Sequence, residues 1–181
     1  MVNFAEAYLL PVQTLQFEDD CATPNSGLPV LIYRIQAPMT AVSPAAFEAL
    51  FARHHWTPLW RDGIFPYHHF HPNAHEALGI CAGHAQVMLG GEGGLQLDLQ
   101  AGDVVLLPAG TGHCCLTSSE DFLVVGAYPR GQEDYATSRS GKAAHAQALT
   151  RIPRVSTPAQ NPLTGAPMTE WSGCSSVRRS R

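Results

Sequence analysis

The stretch GIFPYHHFHPNAHEALGICAG, residues 63–83, decides the fold of this chain. It contains four of the nine histidines, and a fifth, His84, follows it directly. His69 and His71 are separated by one residue, so in an extended segment their side chains leave the same face and can converge on one ion. The sequence therefore predicts a metal site in this stretch.

A carboxylate and a distant imidazole extend the candidate ligand set. Glu76 lies five residues after His71, on what we predict to be the next strand. His113 lies in LLPAGTGHCCL, residues 106–116, where proline and glycine favour a turn back towards the first two histidines. Three imidazoles and one carboxylate suit a divalent transition metal such as Fe, Mn, Ni, Cu or Zn, and the set is too rich in nitrogen for Mg or Ca.

The composition is typical of one globular domain. The chain has 181 residues, 45% of them hydrophobic and 14% charged, which is enough to bury a sizeable core and excludes a disordered chain. Its formal net charge of −4 gives no electrostatic reason to expect nucleic acid or an anionic membrane surface as a partner. We therefore expect a small-molecule ligand or substrate, with no nucleic acid and no membrane.

The N-terminal segment MVNFAEAYLLPVQTLQF, residues 1–17, lacks both a basic start before a sustained apolar run and a small-residue cleavage site. No stretch approaches the about eighteen apolar residues that a membrane span needs. Together these features predict a cytoplasmic protein. The odd, scattered cysteines argue against a disulfide framework, and we interpret them as small core residues. They are Cys21, Cys81, Cys114, Cys115 and Cys174.

Local signals predict mainly β-structure with two helices. Ser43 as an N-cap and Pro44 at the first helical position indicate a helix from Pro44 to about His54, and alanine-rich sequence indicates a second from Lys142 to about Ile152. After Trp56, short β-like segments are interrupted by glycine or proline about every eight to twelve residues, which favours an all-β sandwich or barrel. The predicted strands are Leu15–Phe17, Val30–Ile35, Phe65–Phe70, Glu76–Ala82, Ala85–Leu89, Leu95–Leu99, Val104–Leu107, Cys114–Thr117 and Phe122–Tyr128.

Two spaced motifs in this sequence resemble those of the cupin superfamily (RmlC-like). The first, G(X)5HXH(X)4E(X)6G, is matched by Gly63, His69, His71, Glu76 and Gly83. The second, G(X)5PXG(X)2H, is matched by Gly102, Pro108, Gly110 and His113. Thr117 stands where the cupin pattern usually ends in asparagine, and that position is structural in character.

The resemblance implies an all-β fold, the double-stranded β-helix or jelly-roll barrel, with an N-terminal and a C-terminal helix and a metal inside the barrel. The chain length predicts a single domain over residues 1–181, with the barrel core at about 62–128, and the small, polar and basic sequence at 173–181 predicts a flexible tail. As ligands of one divalent transition metal (Fe, Mn, Ni or Zn) the resemblance implies His69, His71, Glu76 and His113. His75 could replace Glu76 if the strand entered one residue earlier, whereas His68 and His84 are predicted to lie outside the ligand set.

Further segments between about residues 13 and 172 resemble the YjlB-like group of single-domain bacterial cupins. They include PNSGLPVLIYR, residues 24–34, WRDGIFPYHHFH, residues 60–71, and DFLVVGAYP, residues 121–129. This resemblance leaves the reaction open. Many cupins dimerise to cover a sheet edge or face, so we also expect a homodimer.

Three functions remain open for such a site. Four protein ligands on a six-coordinate ion leave two positions for water, dioxygen or a bidentate substrate, as in a catalytic site. The chain is therefore expected to be an Fe(II)-dependent dioxygenase, or an isomerase, lyase or hydrolase that uses its metal as a Lewis acid. The alternative is a non-catalytic small-molecule binding or sensing module with a structural metal.

Strand alternation also predicts what surrounds the ion. It places Cys115 and Thr117 on the face of His113, so the thiol is either a group near the metal or an inert buried residue. It places an apolar row on the face of Glu76, which predicts a mostly apolar pocket for a small, partly hydrophobic ligand. This row is Leu78, Ile80 and Ala82; the aromatic candidates for the barrel mouth are Trp56, Trp60, Tyr67 and Phe70.

Overall fold

A computed structural model describes residues 3–4, 6–8, 10–36 and 39–172. The predicted flexible tail at 173–181 lies outside the described residues. The strands are β1 (Gln13–Leu15), β2 (Val30–Arg34), β3 (Trp56–Asp62), β4 (His69–Phe70), β5 (Glu76–Ala82), β6 (His84–Leu89), β7 (Leu95–Gln100), β8 (Asp103–Leu107), β9 (His113–Ser118), β10 (Leu123–Pro129) and β11 (Ser138–Arg139). The α-helices are α1 (Pro44–Arg53) and α2 (Lys142–Ala148).

The strands form two antiparallel sheets that face each other. The larger sheet has the strand order β1-β2-β8-β5-β10-β3, and the smaller has the order β11-β4-β9-β6-β7. Strands distant in sequence are therefore neighbours, as when β8 lies between β2 and β5. This architecture confirms the predicted all-β fold with one helix before and one after the central strands.

The larger sheet is buried on both faces, which explains its nearly continuous apolar strands. In β2, Leu31 and Tyr33 point to a core shared with α1, while Val30 and Ile32 point to a second core between the two sheets. The same division holds along β5, where Leu78 and Ile80 face the second core. Glu76 is two residues before Leu78, so strand alternation directs its carboxylate into the space between the sheets.

Helix α1 begins and packs as its sequence predicts. The Ser43 hydroxyl accepts a hydrogen bond from the Ala46 N–H at 3.2 Å, and Pro44 occupies the first helical position. Its apolar residues are buried against the larger sheet, where the Phe47 ring lies beside Gly79 of β5. The helix ends at Arg53, one residue before the predicted end. Of the described helices, none is both long enough and apolar enough to cross a membrane.

Several boundaries differ from the predictions. Strand β1 ends at Leu15, where the predicted strand began, and of the predicted strand Phe65–Phe70 only His69–Phe70 is extended and paired. Helix α2 ends at Ala148 and a separate 3-10 turn follows at Ile152–Arg154, where Pro153 has no N–H to continue the α-helical hydrogen bonds.

Strand β3 was not predicted. Its Pro58 cannot donate a ladder hydrogen bond, which argues against a central strand. In the structure β3 is an edge strand of the larger sheet, where a proline is tolerated. Its pairing with β10 has a register shift opposite Gly126 and Ala127. This edge strand brings Trp60 to the cavity between the sheets.

We predict that Gly126→Ala destabilises the protein. Gly126 pairs with Trp60 across β10 and β3, and a Cβ at this position would overlap the Trp60 indole. Overpacking of this kind costs about 1–3 kcal/mol, which denaturant unfolding can measure. Gly93→Ala is the matched control, because a Cβ at Gly93 meets no atom within 4 Å. Equal free energies of unfolding for the two variants would contradict this packing.

Candidate functional site

The structure brings three of the four predicted ligand side chains, His69, His71 and His113, together between the sheets, and it places Glu76 beside His71 and His113. His69 lies in β4, His71 follows that strand, Glu76 begins β5 and His113 begins β9. His69 and His113 are paired in register, so their side chains leave the same face of the smaller sheet. One ring nitrogen from each of His69, His71 and His113 lies within 4.8 Å of the others. All four residues are buried.

Backbone carbonyls determine which nitrogen of each ring faces the centre. Each of the three Nδ1 atoms lies at hydrogen-bond distance from a carbonyl oxygen, and a carbonyl can only accept, so each Nδ1 carries a proton. In a neutral imidazole this leaves Nε2 with a free lone pair, which is the form that binds metals. The carbonyls belong to Tyr67 for His69 (2.9 Å), Ala136 for His71 (2.9 Å) and Thr111 for His113 (3.0 Å).

The carbonyl that holds His71 comes from the loop after β10, and Asn73 fixes that loop. The Asn73 side-chain oxygen accepts a hydrogen bond from the Ala136 N–H at 2.7 Å, and its amide group donates to the Asp134 carbonyl at 2.8 Å. Asn73 is only two residues from His71 in sequence, but it orients the His71 ring indirectly. It fixes the loop, more than sixty residues downstream, whose Ala136 carbonyl accepts the His71 hydrogen bond.

Glu76 has one oxygen occupied and one free. Its Oε1 accepts a hydrogen bond from the Tyr128 hydroxyl. Its Oε2 is buried and has no hydrogen-bond partner among the described residues, although it lies 3.2 Å from Nε2 of both His71 and His113. With Nδ1 protonated on each ring, these three atoms all present lone pairs to one another. A cation at their centre would satisfy all of them, so the donor set fits a divalent transition metal.

The pKa shifts agree with a site that is ready for a cation. Burial, reinforced by His113, lowers the pKa of His69 to about 3, so this ring stays neutral at physiological pH. Burial opposes ionisation of Glu76, but His71 and His113 outweigh it and hold its pKa well below the usual value. Burial likewise opposes protonation of His71, but Glu76 raises its pKa, so a proton can take the place of the ion between them.

A directed hydrogen-bond chain holds the Glu76 carboxylate. The Trp60 indole N–H donates to the Tyr128 oxygen at 2.9 Å, and an indole can only donate. The Tyr128 proton is therefore directed at Glu76 Oε1. Burial and the Glu76 charge raise the pKa of Tyr128, and its ring stacks on Tyr135 with centroids 3.9 Å apart. Tyr128 is thus a fixed donor that leaves only Oε2 of Glu76 available.

The four side chains form the floor of a cavity of about 240 Å³. Its upper wall includes Phe65, which is 48% exposed and therefore stands at the mouth. The lining is mostly apolar, in agreement with the predicted pocket. The lining residues are Trp60, Asp62, Gly63, Ile64, Phe65, His69, His71, Glu76, Leu78, His113, Tyr128, Tyr135 and Thr137.

Not every predicted pocket residue reaches this cavity. Leu78 lines it, whereas Ile80 lies deeper in the core between the sheets. Cys115 also belongs to that core and is not among the lining residues, which fits the inert-thiol alternative. The prediction for Thr117 was wrong: a register shift between β6 and β9 at Leu116 leaves both Leu116 and Thr117 exposed.

Of the aromatic candidates, only Trp60 lines the cavity. Trp56 is buried elsewhere, with its indole N–H donating to the Gln160 carbonyl at 2.9 Å, and Phe70 is fully buried. Tyr67 stacks on Phe65 beside the mouth, with centroids 5.0 Å apart.

His75 lies apart from the other imidazoles. Its Nδ1 accepts a hydrogen bond from the Ala109 N–H at 2.9 Å, and its ring packs on Trp171 with centroids 4.8 Å apart. Burial lowers its pKa to about 4, so it is a neutral core residue. His68 and His84 are also absent from the cavity lining.

Sequence reasoning missed the groups that support the ligands. Tyr128 was predicted only as the end of a strand, and no local pattern pairs it with a glutamate 52 residues earlier. The loop that supplies Tyr135, Ala136 and Thr137 has no motif and no regular periodicity. The contribution of this loop to the site is seen only in the structure, where the loop lies next to β4 and its following strand β11 pairs with β4.

Comparisons with known proteins agree with this architecture. Residues 59–154 match the family model described as Cupin. A Bacillus subtilis (strain 168) protein described as "Uncharacterized protein YjlB" is 38% identical over 155 residues, which are 84% of this chain and 90% of that protein.

Solved structures show weaker likenesses. An uncharacterized conserved protein with a double-stranded beta-helix domain from Klebsiella pneumoniae has a TM-score of 0.36 and 15% identity, covering 78% of this chain and 97% of that one. The DMSP lyase DddQ from Ruegeria pomeroyi has a TM-score of 0.36 and 23% identity, covering 62% of this chain and 42% of that one. The chain spans between 22% and 42% of the first three solved structures that it matches.

We predict that Tyr128→Phe weakens binding of added Zn²⁺ by about 10–100-fold, the usual effect of losing a group that orients a metal ligand. The change removes the proton that holds Glu76 Oε1 and frees the carboxylate to rotate. Competition with a chromophoric chelator measures the affinity. Tyr67→Phe is the control, since it removes a nearby hydroxyl but keeps the backbone carbonyl that orients His69. A folded Tyr128→Phe variant with unchanged affinity would contradict this role.

Proposed function

Because this chain belongs to the cupin family, we propose that it is a metal-dependent enzyme acting on a small molecule inside its barrel. One observation carries the proposal: three imidazole lone pairs and an unpartnered Glu76 oxygen converge on the floor of a cavity that opens to solvent. A purely structural metal site is normally closed by its protein ligands, whereas a site at the base of a cavity leaves room for a substrate.

The proposed ligands are His69, His71, Glu76 and His113, for one divalent transition metal: Fe, Mn, Ni or Zn. When bound, such an ion supplies Lewis acidity towards an oxygen-bearing substrate and, in the case of iron or manganese, redox chemistry. The two sheets supply the fixed geometry, because each ligand is held by its strand or by a backbone carbonyl.

The residues of the chain have separate tasks in this proposal. The carbonyls of Tyr67, Ala136 and Thr111 keep the imidazoles in the binding tautomer before any ion arrives. Tyr128 holds Glu76 so that one oxygen faces the centre. The apolar cavity walls limit the water that reaches the floor, and in such surroundings electrostatic interactions are stronger than in bulk water.

The alternative is a non-catalytic binding or sensing cupin with a structural metal. Turnover separates the two, and oxygen consumption separates the enzyme classes. A dioxygenase consumes oxygen when its substrate is added to the Fe(II)-loaded protein, whereas an isomerase or lyase converts substrate without oxygen uptake. The predicted homodimer is also part of this proposal, because β1 and β3 leave two edges of the larger sheet.

We predict that the purified protein contains about one equivalent of metal and that His69→Ala/His71→Ala contains almost none. Removing two of four ligands leaves too few donors to compete with water for the ion. The wild-type protein should also be stabilised by added metal, by about 2.7 kcal/mol at a free concentration one hundred times the Kd. Elemental analysis and thermal melting measure these two effects.

The control for this experiment is His84→Ala, which removes an exposed imidazole at the start of β6. It should keep the metal content and melting behaviour of the wild-type protein. Equal metal content in the wild-type protein and in a folded double variant would refute the proposed site.

A further inference from the structure

The charges around the cavity limit what can enter it. Among the residues that the structure describes, its lining includes two carboxylates, Asp62 and Glu76, and neither a lysine nor an arginine. Asp62 is exposed, so its negative charge lies at the mouth rather than at the floor. A ligand with two anionic groups could place one at the floor, but the second would have no cationic partner and would lose hydration without compensation.

Arg139 is the cation that strand pairing places beside the site, because it pairs with His69 across β11 and β4. Its guanidinium carbon lies 3.7 Å from the centroid of the Tyr67 ring, in a cation–π contact. Arg139 itself is not among the lining residues. Arg139 is exposed and its guanidinium is engaged by the Tyr67 ring, which stacks on Phe65, so its charge is directed at Tyr67 rather than into the cavity.

The cavity walls offer little to a ligand with many hydroxyl groups. Trp60, Ile64, Phe65 and Leu78 supply apolar surface, and the Trp60 N–H is already used by Tyr128. Of the lining residues with hydroxyl groups, Tyr128 donates to Glu76, which leaves Tyr135 and Thr137. A polyol has more hydroxyls than these two residues can meet, and each hydroxyl buried without a partner costs about 1–3 kcal/mol. An apolar ligand body instead gains free energy by leaving water.

The volume limits the size of the ligand. A cavity of about 240 Å³ has the room of about eight water molecules at about 30 Å³ each. This fits a ligand close to a single six-membered ring with one short substituent. At the floor, a divalent ion with one carboxylate and three neutral imidazoles keeps one net positive charge, which a single oxygen-bearing group, neutral or singly negative, can meet.

We infer that the substrate of this site is a small molecule with an apolar body and one oxygen-bearing head group, neutral or singly negative, and that dianions and polyols are rejected. This inference rests on the proposed function and adds the substrate class. Asp62 at the mouth and the apolar walls determine which small molecules bind. This selectivity does not depend on whether the bound molecule is then converted to a product.

Calorimetric titration with four probes of similar size tests this selectivity. The probes are benzyl alcohol, benzoate, phthalate and xylose, each titrated into metal-free protein and into protein loaded with Zn²⁺. Benzyl alcohol should bind at least tenfold more tightly than xylose and phthalate in both states. Benzoate should bind more tightly when Zn²⁺ is present, because its single negative charge is then attracted by the net positive charge at the floor of the cavity.

A charge reversal at the mouth sharpens the test. Asp62→Lys should raise phthalate affinity at least threefold, because it gives the second carboxylate a cationic partner. Asp98→Lys is the matched control: it makes the same change at an exposed position of β7, outside the cavity, and should have no effect. Arg139→Gln should also leave phthalate binding unchanged, because that guanidinium does not line the cavity.

The results distinguish failure of this inference from failure of the proposed function. Phthalate or xylose binding as tightly as benzyl alcohol, undetectable benzyl alcohol binding in both states, or phthalate binding that depends on Arg139 would overturn the substrate class. Absence of Zn²⁺ binding would refute the proposed metal site, while the benzyl alcohol preference of the metal-free protein would still support the selectivity of the cavity.

Discussion

The site depends on the hydrogen bonds that three backbone carbonyls accept from His69, His71 and His113. A ring nitrogen that donates to a carbonyl cannot present a lone pair, so each bond selects the tautomer in which the opposite nitrogen faces the centre. Without these bonds, three buried imidazoles could exchange tautomers and hydrogen-bond to one another or to Glu76. With them, three imidazole nitrogens lie within 4.8 Å of one another and Glu76 Oε2 lies 3.2 Å from two of them, so a cation is the group that would relieve the repulsion between these lone pairs.

Each of the two sheets positions some of the side chains of this site. The smaller sheet pairs His69 with His113, so the positions of these two candidate ligands are fixed relative to each other by the pairing of β4 and β9. The larger sheet supplies Glu76 and its support, because Trp60 in β3 and Tyr128 in β10 lie on neighbouring strands of that sheet. Packing of one sheet on the other therefore sets the distance between the carboxylate and the imidazoles.

Features that depend on local residue spacing were predicted from the sequence. Features that depend on contacts between segments distant in the chain were missed. The His69/His71 alternation, Glu76 at the start of a strand and the Ser43 cap are local features, and the structure shows each geometry as expected. Strand β3 was missed because Pro58 is tolerated only at a sheet edge, and edges are set by strand order. Tyr128 reaches Glu76 only because β10 pairs with β5, a contact between distant segments.

We propose that three imidazole nitrogens and one carboxylate oxygen surround a single divalent ion. X-ray absorption spectroscopy of the metal-loaded protein tests this most directly, because it reports the elements around the metal without requiring a substrate. We expect only nitrogen and oxygen atoms next to the metal, together with the more distant scattering of about three imidazole rings. A sulfur neighbour, or scattering from one imidazole or none, would contradict it.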